Sequence, residues 1–299
     1  MILFLYYLLQ YFFPKLFLEK RDFDEDEANN DAENSPLLSN GQSKDAQNNR
    51  KICLFIAHPD DEVMFFTPLL NNLNPTEIQN LKIICLTNKS TPRKHELEKC
   101  LKILLPDFNA SKNNNLQIFD FLDSQDNSKI RREESMIDLL TDMRLVSSVH
   151  YLRDLNYHFY TFDSQGVSGH PNHTDCYLYL LSALLTDKIN DGRKITTSNE
   201  KKIEQIWKDS INRNAERLVK DYKFRLYSLK SVNIIFKYFG VPRFYPSADQ
   251  TFYNKRGVTD WNKCYLAFLK GHTSQAMWYR HFWFVTSRYL FVNDYFRIY

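Results

Sequence analysis

Residues 57–62, AHPDDE, place one histidine and three consecutive acids directly after the apolar run KICLFI. Three adjoining carboxylates repel one another and lose hydration when partly buried, a conflict that a divalent cation relieves. Pro59 disfavours helix at His58, so the turn is expected to project His58, Asp60 and Asp61 from a strand end instead of folding them into the next helix. One imidazole and one carboxylate make half of a metal site. The complement lies in TFDSQGVSGHPNHTD, residues 161–175. There Gly166 and Gly169 permit a tight turn and Pro171 suits the first turn of a helix. His170 and His173, three apart, fit one helical face. Two histidines and a carboxylate with an open coordination position are the donor set of a hydrolytic zinc site. Zn2+ is therefore the expected cofactor, and Fe2+, which takes the same ligand types, is the other metal these donors admit.

Both segments need strands to carry them. KICLFIA and LKIICLT, residues 51–57 and 81–87, are continuous apolar runs of strand length, as expected of strands covered on both faces. Apolar positions from Val63 to Leu73 suit a helix stopped near Pro75, and TPRKHELEKCLKILLP predicts a helix burying Leu97, Cys100, Leu101, Leu104 and Leu105. LQIFDFL reads as a strand, REESMIDLLTDMRLVSSVHYL as a helix, YHFYTF as a strand and HTDCYLYLLSALL as a helix. This alternation predicts an α/β fold, a Rossmann-like, mainly parallel sheet with helices on both faces. In such sheets sites gather at the carboxyl ends of strands, so the two histidine segments should meet at one edge.

The rest of the chain bounds location and partners. Residues 1–18, MILFLYYLLQYFFPKLFL, read as a single-pass membrane anchor, and Lys15, Lys20 and Arg21 put the remainder of the chain in the cytosol. Residues 19–50 are acidic, rich in Asn and poor in large apolar groups, the composition of a disordered linker. The catalytic domain is expected over 51–299. Within it, 188–223 is an insertion with an amphipathic helix, and 277–299 is an aromatic tail suited either to a membrane interface or to the core. Five cysteines without a C-x-x-C pair point to a reducing compartment. The N-x-T acceptor at Asn172 lies inside the expected site, where a lumenal glycan would be harmful. With 39 basic and 36 acidic residues there is no global field of a nucleic-acid binder.

AHPDDEVMFFTPLL with TFDSQGVSGHPNH resembles the LmbE-like, or PIG-L, superfamily of zinc-dependent de-N-acetylases. RKHELEKC, LYSLKSVNIIFKYFG and the aromatic tail after HTSQAMWYR resemble its eukaryotic branch, which acts on a membrane glycolipid of GPI-anchor biosynthesis. The likeness covers 51–187 and 224–299. It implies His58, Asp61 and His173 as metal ligands, Asp60 as general base, His170 as oxyanion stabiliser and Arg93 as a substrate contact. Arg93 has an alternative as a helix-surface charge paired with Glu96 or Glu77. Glu62 and Asp163 match positions that orient ligands, while His95, His150, His158, His272 and His281 read as structural or exposed. The turn NKSTP before Arg93 lacks the glycine usual in the family. The implied function is deacetylation of N-acetylglucosaminyl-phosphatidylinositol at the endoplasmic reticulum membrane. A soluble N-acetylglucosaminide deacetylase and a non-catalytic, metal-binding glycolipid-recognition protein are the rival readings.

Overall fold

The computed structural model describes residues 50–87, 91–121, 142–185, 225–238, 245 and 247–298. The anchor at 1–18, almost all of the linker and the 188–223 insertion lie outside the described residues. No helix among the described residues is long and apolar enough to cross a membrane.

In chain order the elements are β1 (Ile52–Ile56), α1 (Asp61–Phe65), α2 (Thr67–Asn71), α3 (Pro75–Asn80), β2 (Lys82–Cys85), α4 (Thr91–Leu104) and β3 (Leu116–Ile118). Next come α5 (Met143–Asp154), β4 (His158–Phe162), α6 (Pro171–Leu185), β5 (Arg225–Leu229) and α7 (Ile234–Tyr238). The last are β6 (Gln250–Tyr253), α8 (Val258–Gly271), α9 (Trp278–Thr286) and β7 (Val292–Arg297). They build one seven-stranded sheet of order β3-β2-β1-β4-β5-β7-β6. The first five strands in that order pair in parallel, and β7 and β6 close one edge antiparallel. The mixed α/β fold with a central sheet agrees with the periodicity: β1 and β4 are buried at every position, as their unbroken apolar runs require.

Two local expectations are corrected. The helix expected over Val63 to Leu73 is two short helices broken at Phe66, with α3 opening at Pro75 under an Asn74–Glu77 capping box. The 277–299 stretch is core only in part: Tyr289, Leu290 and Tyr295 are buried and β7 is a sheet strand, whereas Met277, Trp278, Tyr279 and Phe282 of the α9 region are exposed.

Helix α8 packs along α4 closely enough that Gly271 admits no side chain: a Cβ there would stand 2.5 Å from Cys100 Cβ and 2.6 Å from its Cα. Gly271→Ala must therefore push the two helices apart. It is expected to destabilise the protein by roughly 1–3 kcal/mol, seen as a lower urea midpoint at unchanged slope.

Candidate functional site

Parallel pairing of β1 with β4, with Ile52 opposite His158 and Leu54 opposite Tyr160, carries the loops after both strands to the same sheet edge. Thr161 Oγ1 donates to Phe55 O at 2.9 Å, and Thr87 donates to Ala57 O from both its backbone N–H and its hydroxyl. On that frame His58, His170 and His173 converge, with one ring nitrogen of each inside a 4.8 Å set. Asp61 joins them, its Oδ1 3.1 Å from His173 Nε2 and its Oδ2 3.7 Å from His58 Nδ1.

Asp61 departs from the expected loop position because it opens α1, near the helix N-terminus. There its Oδ2 accepts the backbone N–H groups of Ala57 and His58 at 3.0 and 2.8 Å. Burial pushes this carboxyl up, but the imidazoles of His173 and His58 outweigh it and hold Asp61 well below the usual carboxylate range. His170 departs too. It lies in extended backbone just before α6, so it and His173 converge without sharing a helical face.

The buried donors fit a cation. His173 meets an oxygen at each ring nitrogen, Gly166 O at 3.1 Å from Nδ1 and Asp61 Oδ1 at 3.1 Å from Nε2. A neutral imidazole has a single N–H, so one of these contacts sets lone pair against lone pair unless a proton or a metal ion lies between. A proton donated from Nδ1 to Gly166 leaves Nε2 as the ligating atom beside Asp61. Asn172 Nδ2 sits 3.0 Å from His58 Nε2, so His58 turns its Nδ1 toward Asp61. The Asn172 N–H donates to His170 Nδ1 at 3.3 Å, which puts the neutral ring's proton on Nε2 and makes His170 a better donor than ligand.

Residues 53–184 match the PIG-L family, described as GlcNAc-PI de-N-acetylase. That match spans both histidine segments. The chain is also 28% identical over 259 residues, 82% of this chain and 80% of the relative, to N-acetylglucosaminyl-phosphatidylinositol de-N-acetylase of Saccharomyces cerevisiae. Relatives named probable N-acetylglucosaminyl-phosphatidylinositol de-N-acetylase align in Schizosaccharomyces pombe, at 24% identity over 85% of this chain and 89% of the relative, and in Dictyostelium discoideum, at 25% over 89% and 96%.

Beside these histidines, Asp60 is buried at the wall of a cavity of about 770 Å³. Burial and then the neighbouring Asp61 charge push its carboxyl up, against the pull of Arg280, His272 and His58. Arg280 Nη2 approaches Asp60 Oδ2 at 3.3 Å, and Arg93 Nη2 lies 3.9 Å away on its way to Pro59 O at 2.8 Å. Arg93 thus faces the site. The surface pairings considered for it are taken: Glu96 accepts from Thr273 and Ser274, and Glu77 accepts from Arg50.

Glu62 is wholly buried, with Oε2 accepting the Asp60 N–H at 3.0 Å and Oε1 2.6 Å from His272 Nε2. His272, read from sequence as one of several scattered histidines, is therefore part of the site's support. Arg280 and Lys237, which also line the cavity, carried no signal in the sequence. Their partners lie far away along the chain, and Arg280 sits among aromatic residues that suggest an interface. The Glu62–His272 contact is expected to show as thermodynamic coupling. In a cycle of Glu62→Ala, His272→Ala and the double variant, urea unfolding should give an interaction energy of about 0.5–3 kcal/mol; strict additivity would mean the pair is not formed.

Proposed function

We propose that the chain hydrolyses the N-acetyl group of N-acetylglucosaminyl-phosphatidylinositol, releasing acetate and the free amine, in GPI-anchor biosynthesis. The observation that carries this reading is the convergence of His58, His170 and His173 with Asp60 and Asp61 at one cavity. The names of the relatives supply the substrate. We assign His58, Asp61 and His173 as ligands of a divalent metal, Zn2+ by the softness of two imidazoles with one carboxylate, though Fe2+ takes the same set. When bound, such an ion supplies a Lewis acid next to the scissile carbonyl and the attacking water.

The chain's own residues divide the remaining work. Asp60, whose carboxyl is pushed above its ordinary pKa by burial and the neighbouring Asp61 charge, holds a proton more readily than a free carboxylate and takes that of the water as the C–O bond forms. His170 donates from Nε2 to the developing oxyanion. Asp60 then returns its proton to the departing nitrogen as the C–N bond breaks. Arg280 and Arg93 hold Asp60 from two sides. Each has a buried Nε without a hydrogen-bond partner among the described residues, a donor left over for substrate oxygens.

The reading places the domain at the cytosolic face of the endoplasmic reticulum membrane. All five cysteines are free and buried, as a reducing compartment permits, and Asn172 is buried where a glycan has no room. Ile234 and Ile235 of α7 and Trp278 and Phe282 of α9 are exposed, from 62% for Ile235 to 71% for Trp278. The inner faces of the same two helices line the cavity through Lys237, Tyr238, Arg280 and Trp283. An apolar, aromatic rim around the mouth suits contact with a bilayer that presents the lipid substrate.

Acetate release from the glycolipid by the full chain is expected to fall about 10²–10⁴-fold in Asp60→Ala and about 10²–10³-fold in His170→Ala, with metal content unchanged. A chelator should abolish the activity and added Zn2+ restore it; full activity in Asp60→Ala would refute the mechanism. Separately, in a chain cut to residues 51–299, where the expected anchor is absent, Ile234→Glu with Trp278→Glu should reduce sedimentation with lipid vesicles while leaving turnover of detergent-dispersed substrate intact.

A further inference from the structure

Lys237 is a buried ammonium that the reaction above does not use. It is 7% exposed and lines the same cavity as Asp60 and His173. Three aromatic rings surround its Nζ: Tyr238 at 5.2 Å, Phe65 at 5.9 Å and Tyr289 at 6.0 Å. No carboxylate among the described residues pairs with it, whereas the other two cations of the cavity, Arg93 and Arg280, both face Asp60. Ring faces recover only part of the lost hydration, and burial pushes the Lys237 pKa down to about 8, which still leaves it charged at neutral pH. A buried charge without a counter-ion weakens a fold in which an apolar side chain of the same length would serve better. Such a residue marks a place where an anion binds.

The geometry also locates that anion. The Phe65 ring stands 5.3 Å from the His173 ring, so a single aromatic residue separates Lys237 from the histidine cluster. In the substrate assigned above, one inositol ring separates the N-acetylated sugar from a phosphodiester. Helix α7 presents Lys237 to the cavity and Ile234 and Ile235 outward, and a headgroup phosphate lies at the boundary between those two environments. We propose that Lys237 is a specificity-determining residue that binds the phosphodiester of an inositol phospholipid headgroup and so directs the sugar toward His58, His170 and His173. The identity of this ligand rests on the deacetylase reading.

The test is calorimetric titration of the full chain, wild type, Lys237→Met and Lys237→Arg, with glycerophosphoinositol, myo-inositol and inorganic phosphate. Wild type should bind glycerophosphoinositol. Lys237→Met should weaken that binding about ten- to a hundred-fold without lowering the melting temperature, Lys237→Arg should keep part of it, and myo-inositol should bind both alike. With the glycolipid substrate, Lys237→Met should raise KM by a similar factor and largely keep kcat. Unchanged glycerophosphoinositol affinity in Lys237→Met, a marked loss of its melting temperature, or inorganic phosphate binding as tightly as the headgroup would overturn the proposal. Binding requires no turnover, so a chain that holds the headgroup through Lys237 yet releases no acetate would sink the deacetylase reading alone.

Discussion

The burial of the Asp61 carboxylate between two imidazoles is the constraint on which the site depends. An ionised carboxylate removed from water costs several kcal/mol unless hydrogen bonds replace its hydration. Here Oδ2 takes the N–H groups of Ala57 and His58, and Oδ1 faces His173. The first two partners come from the loop after β1, and the third comes from α6, beyond β4. The carboxylate therefore joins two segments far apart in sequence, and it can do so only because β1 and β4 lie side by side in parallel. Fold and site share one requirement, and the divalent ion proposed here would complete rather than create the cluster.

Around that centre two further acids of the segments, Glu62 and Asp163, act as braces. Glu62 ties the Asp60 loop to His272 at the end of α8. Asp163 accepts from the N–H and hydroxyl of Ser231 at 2.7 and 2.5 Å, and the Ser231 hydroxyl accepts the Val167 N–H at 2.8 Å. The loop that carries His170 is thereby pinned to the segment after β5. These braces hold strained backbone. Among the described residues, Asn113, Asn114 and Asn156, all remote from the site, have positive φ of a kind asparagine tolerates, while Asp60 at φ 141° and Val167 at φ 56° have no such tolerance. Each such residue costs on the order of 1–3 kcal/mol, and both lie in the loops that form the site. Strain placed there orients Asp60 and His170 rather than lowering the energy of the fold.

The parts legible in the sequence are those whose cause is local. Unbroken apolar runs located β1, β2 and β4, Gly166 and Pro171 marked the turn into α6, and the two histidine segments announced a shared edge. Asp61 was misplaced because Pro59 acts only on the residue before it, and nothing prevents a helix from starting two residues later. The helix foreseen from Val63 onward breaks at Phe66, a break that apolar periodicity does not register. Arg280 and Lys237 were missed, and His272, read as structural or exposed, lacked its partner, for a different reason. Their roles arise from α7, α8 and α9 folding back over the sheet edge, and an isolated basic residue carries no spacing that names its partner. Arg93 was visible as a candidate, but its choice between Asp60 and Glu96 was decided by Thr273 and Ser274, which occupy Glu96 first.

Under the proposed function, helix α9 would serve both chemistry and substrate delivery. Trp283 and Phe284 are buried against the core, and Arg280 one turn earlier points inward to Asp60 and to Met64 Sδ. Trp278 and Phe282, four residues apart and in ring contact at 6.1 Å, form an exposed aromatic edge, with Phe282 at the cavity wall. Burial of the inner face fixes the helix and therefore fixes the direction of the outer one. With an apolar face in place beside the cavity mouth, the proposed bilayer contact follows from packing, since the burial that positions Arg280 against Asp60 also turns Trp278 outward. On the proposed reading, a headgroup held at that surface would reach the histidines past Lys237. Position at the membrane and alignment for reaction are then two consequences of the same helix packing.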